Sequence, residues 1–330
     1  MSRLGRILIF AFKTVFASLA IGYIFYRYVD VSHLWTDLTH AHLVWLSGAV
    51  LMHILIRISQ AYQTMINVNY YGMGFSLFDI TKFQLISSFY AFVLPGDIAG
   101  GGVTWRLLSR DNGLRAQAAS SIVFLRLLNL SAFVPFAALG FLIEPALEKS
   151  GLGIYLLFVT VFLAIFMLPF ISHTMGSFVE AIGSRFILAL PWKRIHEAYA
   201  NFWYSVKLIS DMPGKLIFSI IWQAVLAQCL AVVLFYCCAL SVGLNVPFSV
   251  FLWIRAIVAI IQLLPITIGG LGLREFTFIV LLQKLYHVEP VQATSFSLTV
   301  FITTFLLGGI AGAYFVVFDK RKKLTETKAA

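Results

Sequence analysis

The sequence predicts an all-α polytopic membrane protein, in which six full spans and two re-entrant broken-helix hairpins form an inverted-topology four-plus-four repeat. Three observations lead to this fold class. Hydrophobic residues make up 60% of the 330 residues and charged residues 12%, whereas about a quarter of an ordinary soluble domain is charged. Apolar segments recur along the chain without a long polar linker, and two of the shorter ones run directly into breaks rich in proline and glycine.

Six segments have the roughly 20 mostly apolar residues that a membrane-spanning helix needs. They are residues 7–28, 42–66, 114–142, 152–172, 214–242 and 289–318. The first follows two arginines, as the core of a signal peptide would, but it is long and no small-residue cleavage site follows it. We therefore expect it to remain as a helix.

Two further apolar segments, 83–94 and 249–264, are too short to span comfortably. The first runs into VLPGDIAGGGVTWR (Val93–Arg106) and the second into LLPITIGGLGLREF (Leu263–Phe276), and each break contains Leu-Pro, a Gly-Gly pair and then an arginine. A broken helix is tolerated in hydrocarbon when it is buried in protein or lines a watery cavity. The breaks are predicted to act as gates beside a cavity, with a simple packing kink as the alternative. The predicted gating residues are Pro95, Gly96, Gly101, Gly102, Pro265, Gly269 and Gly270.

The charge distribution favours the hairpin interpretation of both short segments. If each segment returns to its side of entry, the basic clusters share one side, and Arg27, Lys149 and Lys284 are the basic residues on the other. The side rich in lysine and arginine is usually cytoplasmic. Both termini, including the basic tail 319–330, are therefore predicted to lie in the cytoplasm, and the protein in the inner membrane.

The chain is predicted to be one integral membrane domain, 1–330, built from two repeats. Residues 1–142 and 152–318 each have the order helix, helix, hairpin, helix, with opposite topology. Chance similarity between glycine-rich segments is the alternative to a true repeat. The connecting segment 173–213 is predicted to hold a cytoplasmic amphipathic helix, which either lies in the inner-leaflet interface or packs on the bundle.

Charged residues inside the predicted spans indicate a binding site. Buried charge is costly and usually faces a cavity or the bundle interior, and arginine exceeds acid there even when membrane-edge Glu144 is counted. The planar guanidinium suits phosphate oxygens, so the surplus predicts an anionic partner. Internal pairing, carbonyl capping or snorkelling is the alternative for each arginine alone, and cytoplasmic water is also within reach of Arg106. The predicted substrate-binding residues are Arg57, Asp97, Arg106, Arg126, Arg255, Arg274 and Glu275.

Motifs for catalysis or cofactors are not found in the sequence. The segment GDIAGGGVT lacks the lysine of a phosphate-binding loop and no strand precedes it. His33, His40 and His42 lack metal-site spacing, and no Ser/His/Asp or Cys/His constellation is present. The three cysteines share one apolar block, which indicates packing. We therefore predict no catalytic residue, no metal and no cofactor.

The segments SSFYAFVLPGDIAGGGVTWR (Ser87–Arg106) and LLPITIGGLGLREF carry a resemblance that covers nearly the whole chain. The sequence resembles the flippase-like transmembrane domain of bacterial lysylphosphatidylglycerol synthases and its stand-alone relatives. In two-part members, such a domain moves an aminoacylated phospholipid to the outer leaflet, and a separate cytosolic domain makes that lipid. This chain stops at Ala330, so the resemblance implies lipid translocation without aminoacyl transfer.

The predicted function is flippase-like or scramblase-like translocation of an anionic phospholipid or lipid-linked headgroup across the bacterial inner membrane. Two alternatives stay open: a membrane-embedded transferase that acts on a lipid phosphate, and a non-transporting accessory subunit of envelope lipid or glycan synthesis. The expected partners are the anionic lipid, the bilayer and an envelope-synthesis enzyme. Nucleic acid is not expected, because the +10 formal charge lies in short clusters beside apolar segments.

Overall fold

The computed structural model describes residues 41–93, 97–110, 113–144, 147, 151–188, 193–262 and 273–317. This part of the chain is helical and contains no strand. Its helices are α1 Leu43–Tyr70, α2 Leu77–Val93, α3 Asp97–Leu108, α4 Arg115–Ser131, α5 Val134–Ile143, α6 Leu152–Ile171, α7 His173–Leu188, α8 Lys193–Ser210, α9 Gly214–Ser241, α10 Phe248–Gln262, α11 Leu273–Tyr286 and α12 Pro290–Phe305. A π-helical turn, Leu306–Ala311, continues α12.

Five of the six predicted spans are present as helices long and apolar enough to cross a membrane. They are Leu43–Tyr70, Arg115–Ile143, Gly153–Phe170, Gly214–Ser241 and Pro290–Val317. The predicted first span, 7–28, and the basic tail, 319–330, lie outside the described residues. The chain is therefore a multi-pass helical membrane protein.

The two longest helices, α1 and α9, pack side by side in opposite directions along their whole lengths. The His42 N–H donates to the Ser241 carbonyl at 2.9 Å, where α1 begins and α9 ends. Further along, the Ser59 hydroxyl donates to the side-chain oxygen of Gln223 at 2.7 Å. Hydrogen bonds between spans satisfy polar groups that hydrocarbon cannot.

The ends of α1 and α9 have the same hydrogen-bonded geometry. Gly72 and Gly243 follow the helices with φ of 79° and 69°, a left-handed conformation that glycine adopts without strain. In each case the next N–H reaches back five residues, from Met73 to the Val68 carbonyl and from Leu244 to Ala239. Both helices are 28 residues long, so the two halves place a matching turn before their hairpins.

Each predicted hairpin is a pair of antiparallel helices. The Thr104 hydroxyl of α3 donates to that of Ser87 in α2 at 2.8 Å, and Trp253 near the start of α10 stacks on Tyr286 at the end of α11, with 6.4 Å between ring centroids. The helix α3 begins at Asp97. Gly101 and Gly102, predicted as gating residues of the break, therefore lie inside a helix.

Each hairpin packs on the last helix of the other half. A Cβ added at Gly308 would lie 3.0 Å from the Phe92 ring of α2, and one at Gly140 would lie 2.8 Å from Trp253 Cβ of α10. Small residues allow such close approach between membrane helices. These contacts pack α2 against the π-helical turn and α10 against α5.

The last helix of each half is distorted near its middle. In the first half, α4 ends at Ser131 and α5 restarts at Val134, with Pro135 in its first turn. Proline is tolerated there because that N–H has no helical partner. In the second half, the distortion is the π-helical turn Leu306–Ala311, a form often found at functional sites.

The connection between the halves consists of α7 and α8. Val206 and Ile209 of the apolar face of α8 are 1% and 0% exposed, and they pack with Trp203 against α4 and α6. Lys207 pairs with Glu180 of α7 at 2.6 Å. Of the two interpretations left open by the sequence, these contacts favour a linker helix packed on the bundle.

Candidate functional site

Three of the arginines singled out in the sequence meet at one cavity of about 280 Å³, which we call the arginine cavity. Arg57 comes from α1, Arg255 from α10 and Arg274 from the first turn of α11. These residues are far apart in the chain, and the two hairpin helices bring the second and third beside α1. The rest of the lining is His53, Ile56, Gln60, Ala227, Gln228, Ala231, Leu234, Phe235, Val258, Val300 and Thr304.

Arg57 and Arg255 carry charge that no described acid neutralises. Neither forms an ion pair in the described part of the chain, and the Nε atom of each is buried without a hydrogen-bond partner there. The Arg255 guanidinium carbon lies 4.7 Å from the ring centroid of Phe133 and 5.4 Å from that of Phe235. Cation–π contacts of this kind hold a guanidinium in place and leave its donors available for a ligand.

Arg274 is paired with its chain neighbour. Its Nη2 and Nε donate to Oε1 of Glu275 at 2.5 and 3.1 Å, and the two residues are 6% and 8% exposed. Such a buried pair lowers the net charge that this residue brings to the cavity. Glu275, predicted as a substrate-binding residue, is thus the ion-pair partner of Arg274.

The cavity combines cationic and neutral hydrogen-bonding groups. His53, Gln60, Gln228 and Thr304 lie among the arginines, and no carboxylate lines the cavity within the described residues. In a low-dielectric surrounding, uncompensated positive charge favours an anion strongly. The arrangement suits a phosphate-sized group with further hydrogen-bonding substituents.

Arg126 does not join this cluster. It lines a second cavity of about 520 Å³, between α4, α5, α6 and α10, whose other lining side chains are apolar. Phe133 and the Arg255–Ala256 pair stand between the two cavities, because Phe133 and Ala256 line the apolar cavity while Arg255 lines the other. Of the predicted arginines, Arg57, Arg255 and Arg274 therefore line one cavity and Arg126 lines a neighbouring one.

The other predicted site residues are dispersed. Arg106 is exposed near the end of α3, outside the cavity lining. Asp97 is the first residue of α3, and its side chain lies outside the described part of the structure. Glu144 accepts a hydrogen bond from Ser249 at 2.9 Å and does not line the arginine cavity. Pro95, Gly96, Pro265, Gly269 and Gly270 also lie outside the described residues.

Sequence reasoning missed the neutral polar lining. His53 lines the arginine cavity, and its buried Nδ1 has no partner among the described residues. A signal was present, since His53, Arg57 and Gln60 recur at helical spacing within α1. Gln228 and Thr304 gave no such signal. Within the described residues, no group of histidine, cysteine or acidic side chains has the arrangement of a metal site.

The sequence is similar to a known protein family and to a curated membrane protein. The family described as the lysylphosphatidylglycerol synthase TM region matches residues 7–312. A protein described as UPF0104 membrane protein, from Archaeoglobus fulgidus, is 22% identical over 327 residues, covering 93% of this chain and 97% of the relative. No solved structure matches.

Proposed function

We propose that this chain, which belongs to the lysylphosphatidylglycerol synthase TM region family, translocates an anionic phospholipid or lipid-linked headgroup across its membrane. The observation that carries the proposal is the meeting of Arg57, Arg255 and Arg274 at one cavity. A charged side chain inside a membrane protein is energetically costly, and it usually marks a functional site. A phosphate offers the oxygens that two unpaired guanidinium groups require.

The same site explains why a lipid is the favoured substrate class. The cavity is formed by membrane-spanning helices and helical hairpins, so the bilayer itself supplies the ligand. A headgroup bound by the arginines has the apolar cavity of about 520 Å³ next to it, across Phe133. Acyl chains are expected to stay in that cavity or in the surrounding bilayer.

An inverted repeat supplies a mechanism for the movement. The matching turns after α1 and α9, and the packing of each hairpin on the last helix of the other half, support two halves with opposite orientation. In such folds, alternating access comes from the rocking of one half against the other around a central site. We propose that α2–α3 and α10–α11 are re-entrant gates and that both termini are cytoplasmic.

Reconstitution in liposomes with fluorescent anionic and neutral phospholipids tests this function. Wild-type protein is expected to move the anionic lipid, and Arg57→Gln and Arg255→Gln to slow that movement. Losing a hydrogen bond to a charged group costs about 1.5–3 kcal/mol, which corresponds to roughly 10- to 150-fold. Arg185→Gln, at an exposed position of α7, serves as the matched control and is expected to retain full activity.

The outcomes separate the competing functions. Equal movement of anionic and neutral lipids by wild type and both cavity variants would remove the proposed role of the arginines. Absence of movement by folded wild-type protein, with every lipid tried, would favour an accessory role in envelope synthesis. Chemical conversion of the lipid, detected by mass spectrometry, would favour a transferase.

A further inference from the structure

The side chains of α1 form a polar stripe that extends beyond the arginine cavity. His53, Arg57, Gln60, Thr64, Asn67 and Tyr71 recur at alternating intervals of four and three residues, with Tyr71 just after the helix ends. This spacing places them on one face. None of the six is exposed, whereas Ile58 and Tyr62 of the opposite face are 44% and 39% exposed.

Several polar atoms along this stripe have no hydrogen-bond partner among the residues that the structure describes. Asn67 is fully buried, and neither its Nδ2 nor its Oδ1 has a hydrogen-bond partner in the described part of the chain. Gln84 of α2 donates to Thr64 at 3.3 Å, but its own Oε1 is without a partner, as is Oδ1 of Asn129 in α4. Buried polar groups are normally satisfied, so this row of atoms indicates water or a polar ligand between the helices.

A further cavity lies on the same stripe. It has a volume of about 160 Å³, and Thr64, Gln84 and Thr104 line it from α1, α2 and α3. Thr64 is one helical turn from Gln60 of the arginine cavity. Its other lining side chains are apolar. A water takes about 30 Å³ in the liquid, so the volume is enough for several waters beside the three polar side chains. The two cavities and Asn67 therefore lie in series along one helix face.

We infer that this face of α1 lines a hydrated path, through which the phosphate-bearing headgroup passes between the arginine cavity and the bilayer edge at the Tyr71 end of α1. The inference rests on the proposed function and adds a route to its site. Hydroxyl and amide groups of Gln60, Thr64, Gln84 and Asn67 replace headgroup hydration step by step, and no carboxylate lines either cavity in the described part to repel the phosphate. The charge distribution places this end of the path on the cytoplasmic side.

Cysteine accessibility tests the path without relying on transport. Single cysteines at Thr64 and Tyr62 are introduced after Cys229, Cys237 and Cys238 are replaced. A charged, membrane-impermeant thiol reagent is then added to one side of sealed vesicles. Thr64→Cys is expected to react from the cytoplasmic side, and Tyr62→Cys, the control on the opposite face, to remain unreacted.

The path would be overturned if Thr64→Cys did not react, if both variants reacted equally, or if Thr64→Cys reacted only from the outside. Lipid retention by the same variants is measured separately by native mass spectrometry. Retained anionic lipid with an unreactive Thr64→Cys refutes the path alone. A reactive Thr64→Cys without any bound or translocated lipid supports the path and refutes the proposed substrate.

A blocking variant supplies a second readout. Thr64→Phe puts an aromatic ring into the cavity of about 160 Å³ and is expected to abolish translocation while the arginine cavity still retains lipid. Ile58→Phe, which puts the same ring on the exposed face of α1, is expected to translocate as wild type does. Wild-type translocation by a folded Thr64→Phe protein would contradict the path.

Discussion

Arg255 shows how a single side chain is held charged inside this molecule without an acid. Aromatic rings of Phe133 and Phe235 lie 4.7 and 5.4 Å from its guanidinium carbon, and its buried Nε has no partner among the described residues. Arg274, by contrast, has Glu275 as a partner. The sequence predicted both arginines as site residues, because Arg255 lies in an apolar segment and Arg274 closes the second break. It did not distinguish them, because the aromatic contacts come from helices distant in the chain.

The pairing of Arg274 with Glu275 gives a prediction for stability. Glu275→Gln leaves the 6% exposed Arg274 without its counter-charge, and breaking a buried pair on one side costs about 3–5 kcal/mol. The thermal unfolding midpoint in mild detergent is therefore expected to fall well below that of wild type. Glu197→Gln, at an exposed position of α8, is the control, and an equal midpoint for the two variants would refute the structural role of the pair.

At the scale of helices, the two pairs of short helices were predictable and their boundaries were not. The Leu-Pro and Gly-Gly patterns indicated both breaks, yet α3 includes Gly101 and Gly102. Inside a membrane protein the alternative to helix is an unsatisfied backbone, which outweighs the low helix propensity of glycine. The π-helical turn at Leu306–Ala311 was not predicted either, because it depends on α2 packing against Gly308 and Gly312.

Two glycine substitutions test which glycine is needed for close contact between helices and which merely lies within a helix. At Gly140 an added Cβ would lie 2.8 Å from Trp253 Cβ, whereas at Gly102 it would meet nothing within 4 Å. Gly140→Ala is expected to destabilise the protein by about 1–3 kcal/mol through overpacking. Gly102→Ala is expected to be neutral or stabilising by up to about 1 kcal/mol. Thermal unfolding of both variants checks this, and a larger loss for Gly102→Ala would contradict the packing described for α5 and α10.

At the scale of the whole molecule, the sequence predicted the helical architecture and the positions of the spans. A span must be apolar over the thickness of the hydrocarbon core, and such segments are visible in the sequence. Five described spans begin and end within a few residues of the predicted ones. The separation of Arg126 from the other arginines was not predictable, because it depends on which face of α4 turns toward α6 and α10. Orientation in the membrane stays a prediction from charge bias.

Site-directed labelling tests that orientation and the hairpins together. Cysteines replace exposed residues that flank each hairpin, at Ser76 and Arg110 for the first and at Asn245 and Gln283 for the second. The first pair is expected to react from the cytoplasmic side and the second from the outside. Reaction of Ser76→Cys and Arg110→Cys from opposite sides would show that α2–α3 crosses the membrane and would remove the inverted repeat.

The central claim is that the arginine cavity binds a lipid phosphate, and native mass spectrometry of purified protein tests it most directly. Wild type in mild detergent is expected to retain an anionic lipid, and the double variant Arg57→Gln/Arg255→Gln to lose it, because both unpaired guanidinium groups of the cavity are removed. Arg185→Gln is expected to retain the lipid. Equal lipid retention by the double variant and wild type would contradict the account.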